Sequence, residues 1–119
     1  MPVLAGVYNI IADQGATFTR AFIKKDHEKR VIPLTGNYLA RMQVRETYES
    51  PSTILNLNTE NDYITIDGPR GIISVVVSDD ETRLLIPGEY VYDLELVYPD
   101  EQVERMLMGT FTVRKEVTR

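Results

Sequence analysis

One histidine, one acidic triplet and one pair of strand carboxylates are the groups in this chain that could do chemistry. His27 lies in Lys25-Asp26-His27-Glu28. Metal ligation or proton transfer there needs partners supplied by the fold, and alone it reads as an exposed turn histidine. Asp79-Asp80-Glu81 could offer oxygen ligands to a divalent cation. The triplet lacks the glycine and distal glutamate of a calcium loop. Ser78 immediately before it suggests a capping box instead: its hydroxyl accepts from the Glu81 amide while Glu81 reaches back. Acids at a helix start also suit the dipole. Asp93 and Glu95 share one face of a strand. Paired carboxylates serve glycoside hydrolysis only across a cleft, and an open sheet face provides none. Gly68-Pro69-Arg70-Gly71 is a turn between strands with no phosphate-loop pattern. The scattered serines and threonines have no histidine but His27 with which to build a nucleophilic triad. The residues therefore predict no catalytic site, no metal site and no cofactor. Tyr8, Tyr48 and Tyr63 could stack on sugars, but strand tyrosines commonly span core and surface, and there is no tryptophan.

These groups sit on a chain of 119 residues, the size of one domain, expected to span 1–119. It is 43% hydrophobic and 26% charged, enough apolar content for a core. The formal net charge of -5 argues against nucleic-acid binding, which needs a basic face. The cluster Lys24–Arg30 also holds Asp26 and Glu28, and reads as a solvated turn. With no cysteine, neither a disulfide framework nor cysteine-ligated zinc is possible. The beginning of the sequence has no basic segment before a long apolar run, so neither a signal peptide nor membrane insertion is expected.

The elements are strands. Val7–Ala12 is a short apolar run closed by Asp13-Gln14-Gly15. Ala16–Lys24 alternates, with Phe18 and Phe22 expected inside. Lys25–Asn37 is a polar connection broken by Pro33 and Gly36. Tyr38–Glu46 puts Tyr38, Ala40, Met42 and Val44 on one face, and Leu39, Arg41, Gln43 and Arg45 on the other. Thr53–Leu57, Tyr63–Asp67 and Ile72–Val77 are short strands. A helical turn near 79–85 follows, with Leu84 and Leu85 expected to pack inward, and Pro87-Gly88 stops it.

The closing stretch from Pro87 is the clearest element. A hairpin centred on Asp100-Glu101 sets Tyr90 opposite Phe111, Tyr92 opposite Gly109 and Leu94 opposite Leu107. Tyr90, Tyr92, Leu94, Leu96, Leu107 and Phe111 then share a buried face. The other face carries Val91, Asp93, Glu95 and Val97 beside Met106, Met108, Thr110 and Thr112. It is too apolar for plain solvation, and methionine fills adaptable contacts. Val91, Val97, Met106 and Met108 are the expected protein-interface residues. Seven or eight short strands without a βαβ rhythm predict an all-β fold: a single antiparallel β-sandwich, immunoglobulin-like in the broad sense. A small barrel is the alternative.

Four stretches stand together: Asp13-Gln14-Gly15-Ala16-Thr17-Phe18; Pro33-Leu34-Thr35-Gly36-Asn37-Tyr38 with Arg41-Met42-Gln43-Val44-Arg45; Gly71–Leu96; and Gly109–Arg119. In these the chain resembles a family of bacteriophage tail and baseplate structural proteins. The most specific pieces are Gly88–Leu96 and Glu116-Val117-Thr118-Arg119. It is similar to the immunoglobulin-like N-terminal module of phage baseplate upper proteins. The resemblance implies a non-enzymatic virion component, assembled in the host bacterial cytoplasm, with other virion proteins as partners and a homo-oligomeric arrangement. It carries over no catalytic residues. In that family the sandwich docks a fibre or receptor-binding assembly to the tail. No long fibre-forming segment follows it in this sequence, so decoration of the tail, neck or capsid is also open. A carbohydrate- or receptor-binding module is the competing reading.

Overall fold

Among the described residues, alternation of apolar and polar residues produces nine strands and one helical turn. The computed structural model describes residues 6–118. Arg119, the last residue of the family-like terminus, lies outside the described residues. The elements are β1 (Gly6–Val7), β2 (Ile10–Asp13), β3 (Phe18–Ile23), β4 (Leu39–Arg45), β5 (Leu55–Asn58), β6 (Ile64–Asp67), β7 (Ile72–Val77), α1 (Asp79–Thr82), β8 (Gly88–Val97) and β9 (Val103–Arg114). They form two packed sheets. The larger runs β1-β9-β8-β4-β5, with β2 also on β9, and the smaller runs β3-β7-β6. Lettering β3 to β9 as B, C, C′, D, E, F and G gives a G-F-C-C′ sheet against a B-E-D sheet, the strand order of an immunoglobulin-like sandwich. The expected sandwich therefore forms. One edge departs from antiparallel pairing, because β1 and β2 run parallel to β9.

The core is where the inward faces meet. Ala40, Met42 and Val44 of β4 face Tyr92, Leu94 and Leu96 of β8 in register, all buried. Phe18 is buried, and Phe22 packs against the core, as its spacing predicts. Phe111 meets Phe18 at 5.5 Å and Tyr92 at 6.5 Å, both edge-on. Tyr90, at the start of β8, donates its hydroxyl to the Ile86 carbonyl at 2.5 Å. This is a tyrosine corner. Two residues on, where an antibody domain carries its second disulfide cysteine, stands Tyr92. Aromatic packing occupies the place of the cross-link.

The hairpin register is as the sequence predicts from Gly88 to Leu94, with Tyr90 opposite Phe111, Tyr92 opposite Gly109 and Leu94 opposite Leu107. Then it shifts. Glu95 pairs with Arg105, so Met106 is an extra residue bulged out of the ladder. The bulge moves Met106 off the outward face, and it packs against the core instead. That corrects its expected place among the outward contacts. The bulge also turns Glu104 inward, opposite buried Leu96. There Glu104 accepts from Lys24 Nζ at 2.9 Å and from the Tyr98 hydroxyl at 2.7 Å. Lys24, expected in a solvated turn, is thus drawn into the sandwich's end.

Burial alone raises the Glu104 carboxyl pKa, but the Lys24 and Tyr98 hydrogen bonds outweigh it and hold it below its ordinary 4.5. A lowered folded pKa stabilises the fold fully above 4.5, and that contribution is lost as pH falls through the folded value. Urea midpoints measured from pH 7 down to about 3 should fall more steeply below 4.5 in the parent than in Glu104→Gln. Parallel slopes would show that this ion pair does not contribute.

The helical turn is shorter than the expected 79–85. Ser78 caps it through the Glu81 amide at 3.3 Å. The return half of the capping box differs: Glu81 accepts from the Ser78 hydroxyl at 3.1 Å and from the Tyr63 hydroxyl. Because the helix ends at Thr82, Leu84 does not follow Leu85 inward. Leu85 packs on the core, whereas Leu84 is 83% exposed.

Side chains take up outer backbone groups at β5 and β2 on the edges of the larger sheet. At β5, the Asn61 amide donates to the Asn56 carbonyl and accepts from the Asn58 amide, each at 2.9 Å. It supplies the donor and acceptor that an added strand would supply. At β2, Arg20 donates to the Ile11 carbonyl at 3.0 Å, with its guanidinium 4.9 Å over the Phe18 ring. Asn61→Ala should cost about 1 kcal/mol of stability and, more tellingly, produce concentration-dependent association in sedimentation velocity. A variant that stays monomeric would show that the edge is protected by something else.

Candidate functional site

The outward residues of β4, β8 and β9 lie in rows across the larger sheet. The register places Leu39, Val97 and Val103 in one row, Arg41, Glu95 and Arg105 in the next, and Gln43, Asp93 and Met108 in the third. β5 extends these rows with Asn58 and Asn56, and β1 adds Val7 beside Met108. Between them lies a depression of about 550 Å³, lined by Arg41, Gln43, Arg45, Tyr48, Val91, Asp93, Glu95 and Arg105.

Its side chains hold one another. Arg41 Nε donates to Glu95 at 2.8 Å, and Arg105 Nε lies 3.4 Å from Asp93. Arg45 donates to the Ser50 carbonyl at 2.7 Å and to Gln43 at 2.8 Å. Arg45 thereby ties down the loop that carries Tyr48 to the rim. Burial, then the neighbouring Glu95 charge, push the Asp93 carboxyl above its usual range, against the pull of Arg105, Arg45 and Arg41.

Asp93 and Glu95 project from one strand toward the same side. Glycoside hydrolysis needs carboxyls flanking the scissile bond, and this arrangement supplies no opposing wall. His27 sits on an exposed turn, where its side chain is 88% exposed and 3.8 Å from Glu28. The acidic triplet is engaged within the chain: Arg83 pairs with Asp79 and Asp80, and Glu81 is taken by Ser78 and Tyr63. Among the described residues, no three His, Cys, Asp or Glu side chains gather as a metal site.

The tyrosines considered for sugar stacking do not form one platform. Tyr8 packs edge-on to Phe22 at 5.6 Å, and the Tyr63 hydroxyl is committed to Glu81. Of these three, Tyr48 lines the depression. Of the expected interface residues, Val91 lines the depression, Val97 lies in the row above, Met108 lies beside Asp93, and Met106 is on the core side. Sequence reasoning missed Arg41, Arg45 and Arg105. The outward positions of Arg41 and Arg45 were legible, but Arg105 faces outward only because of the bulge at Met106, and the meeting of these arginines with β8 acids depends on strand pairing between distant segments.

No protein-family model matches the chain, and no curated protein matches it. Among solved structures it is similar to the PmoD soluble domain from Methylocystis sp. ATCC 49242 (Rockwell), at 16% identity and TM-score 0.48, over 89% of this chain and 77% of that one. It is similar to murine CRIg at 15% identity and TM-score 0.45, over 90% of this chain and 92% of that one. Neither likeness carries a functional reading, and neither is to a phage protein.

Proposed function

We propose that this chain is a non-enzymatic structural component of a bacteriophage virion, in the tail or baseplate. It acts by docking other virion proteins on the outer face of its larger sheet. The proposal starts from the family-like sequence segments, and one observation supports it. Arg41-Met42-Gln43-Val44-Arg45 and Tyr90–Leu96, two of those segments, send Arg41, Gln43, Arg45, Asp93 and Glu95 away from the core into one depression. Core packing explains Met42, Val44, Leu94 and Leu96, but it does not require the outward set. Side-chain hydrogen bonds to the edge backbone of β5 and β2 oppose strand addition there and favour association through the face.

The contact residues on this reading are Val91, Val97 and Met108, with Met106 set aside because it packs against the core. Assembly takes place in the host cytoplasm, and several copies occupy equivalent places in the particle. Mass spectrometry of purified particles should find the chain at fixed stoichiometry. Val91→Glu with Met108→Glu should leave the isolated domain's melting close to the parent's while lowering particle incorporation severalfold. Absence from particles, or normal incorporation of the double variant, would overturn the reading. Tyr48, 57% exposed at the rim of a polar depression, favours a glycan-binding alternative. Glycan-array binding that disappears on Tyr48→Ala would support that alternative.

A further inference from the structure

The depression on the outer face has a local charge opposite to that of the chain. The protein carries a net charge of -5, yet the depression holds three guanidinium groups against two carboxylates. The carboxylates lie lower. Asp93 and Glu95 side chains are 29% and 27% exposed, against 50% for Arg41 and 52% for Arg105. A partner approaching this face meets guanidinium groups first.

The arginines also retain donors. Arg41 gives only its Nε to Glu95, and Arg105 faces Asp93 through its Nε. Among the described residues, the terminal nitrogens of neither arginine have a hydrogen-bond partner. Arg45 differs, because both of its terminal nitrogens are spent on Ser50 and Gln43. Arg41 and Arg105 flank Glu95 in one row, two strands apart, which sets their backbones about 10 Å from each other. A guanidinium fork binds a carboxylate through two parallel hydrogen bonds. Directly beside this charged row lies the apolar row Leu39, Val97 and Val103, with Leu39 and Val103 exposed.

We propose that the surface seated here is an acidic protein segment, with carboxylates held by Arg41 and Arg105 and an apolar side chain on the Leu39–Val97–Val103 row. This rests on the docking reading above and names the chemistry of its partner. Acidic residues elsewhere on the chain repel such a segment, so the contact is local, acting within the roughly 8 Å screening length of physiological salt.

The test is an NMR titration of the ¹⁵N-labelled full chain with a capped hexapeptide of alternating leucine and aspartate, and with its leucine–asparagine counterpart. The acidic peptide should shift the Arg41 and Arg105 side-chain signals and the amides of Leu39, Val97 and Val103. The asparagine peptide should bind about tenfold more weakly, and salt near 0.5 M should weaken the acidic one similarly. Arg41→Gln with Arg105→Gln should abolish the shifts and leave the remaining spectrum unchanged, which shows the fold intact. Equal binding of both peptides, shifts on another surface, or no shift at all would overturn the acidic-partner assignment. If these fail while Val91→Glu with Met108→Glu still blocks incorporation, the docking face stands and only its partner's charge is wrong. If incorporation is unaffected while the peptide binds as expected, the virion role falls and the acidic-segment site remains.

Discussion

Phe111→Ala should lower the unfolding free energy by about 3–5 kcal/mol, a large share of what a domain of this size has to lose. Phe111 is buried between Phe18 of the smaller sheet and Tyr92 of the larger one. Truncation removes its apolar transfer energy and two edge-on ring contacts, and leaves a cavity where the sheets meet. No disulfide limits the damage, because the chain has no cysteine. Urea denaturation followed by circular dichroism measures it. Phe111→Leu should recover more than half of the loss by filling most of the cavity. A loss below about 1 kcal/mol for the alanine variant would show that the aromatic cluster does not replace a cross-link.

Gly109→Val should cost about 2–4 kcal/mol by a different route. A Cβ at Gly109 would lie 2.5 Å from the Tyr8 carbonyl oxygen and 2.8 Å from Asn9 Oδ1. Tyr8 and Asn9 are the break between β1 and β2, where Tyr8 N–H donates to the Met108 carbonyl and Asn9 accepts from the Thr110 amide. The Tyr92 hydroxyl also donates to the Tyr8 carbonyl. Displacing this segment strands several polar groups at once. Hydrogen exchange should show faster exchange in Ile10–Asp13 of Gly109→Val under native conditions, with β3 and β7 still protected. Uniform acceleration across both sheets would mean that the parallel edge is not a separate unit.

The residues that period alone decides were legible. Ala40, Met42 and Val44 alternate with polar neighbours, and the structure buries them. The closing hairpin could be paired residue by residue because a one-residue slip would expose its aromatic face. Ser78 announced its helical turn. Where sequence reasoning failed, the cause was a single residue or a distant partner. The bulge at Met106 adds one residue without altering the apolar pattern, so alternation continued past it placed Met106 outside. Leu84 looked like its neighbour Leu85, but where the helix ends decides which of them packs. Parallel pairing of β2 with β9 joins residues about a hundred positions apart, as in Asp13 with Arg114, and no local pattern encodes it. The candidate site failed to show for the same reason. Arg41 and Glu95 each read as an ordinary outward strand residue until β4 is laid beside β8.

Those outward residues are the centre of the proposal, and an electron cryomicroscopy map of the assembled phage particle tests it most directly. The prediction is that the chain occupies symmetry-related positions in the tail or baseplate, with Val91, Val97, Met108, Arg41 and Arg105 buried against a neighbouring protein. A particle in which that face looks into open solvent, or which contains no copy of the chain, would contradict it.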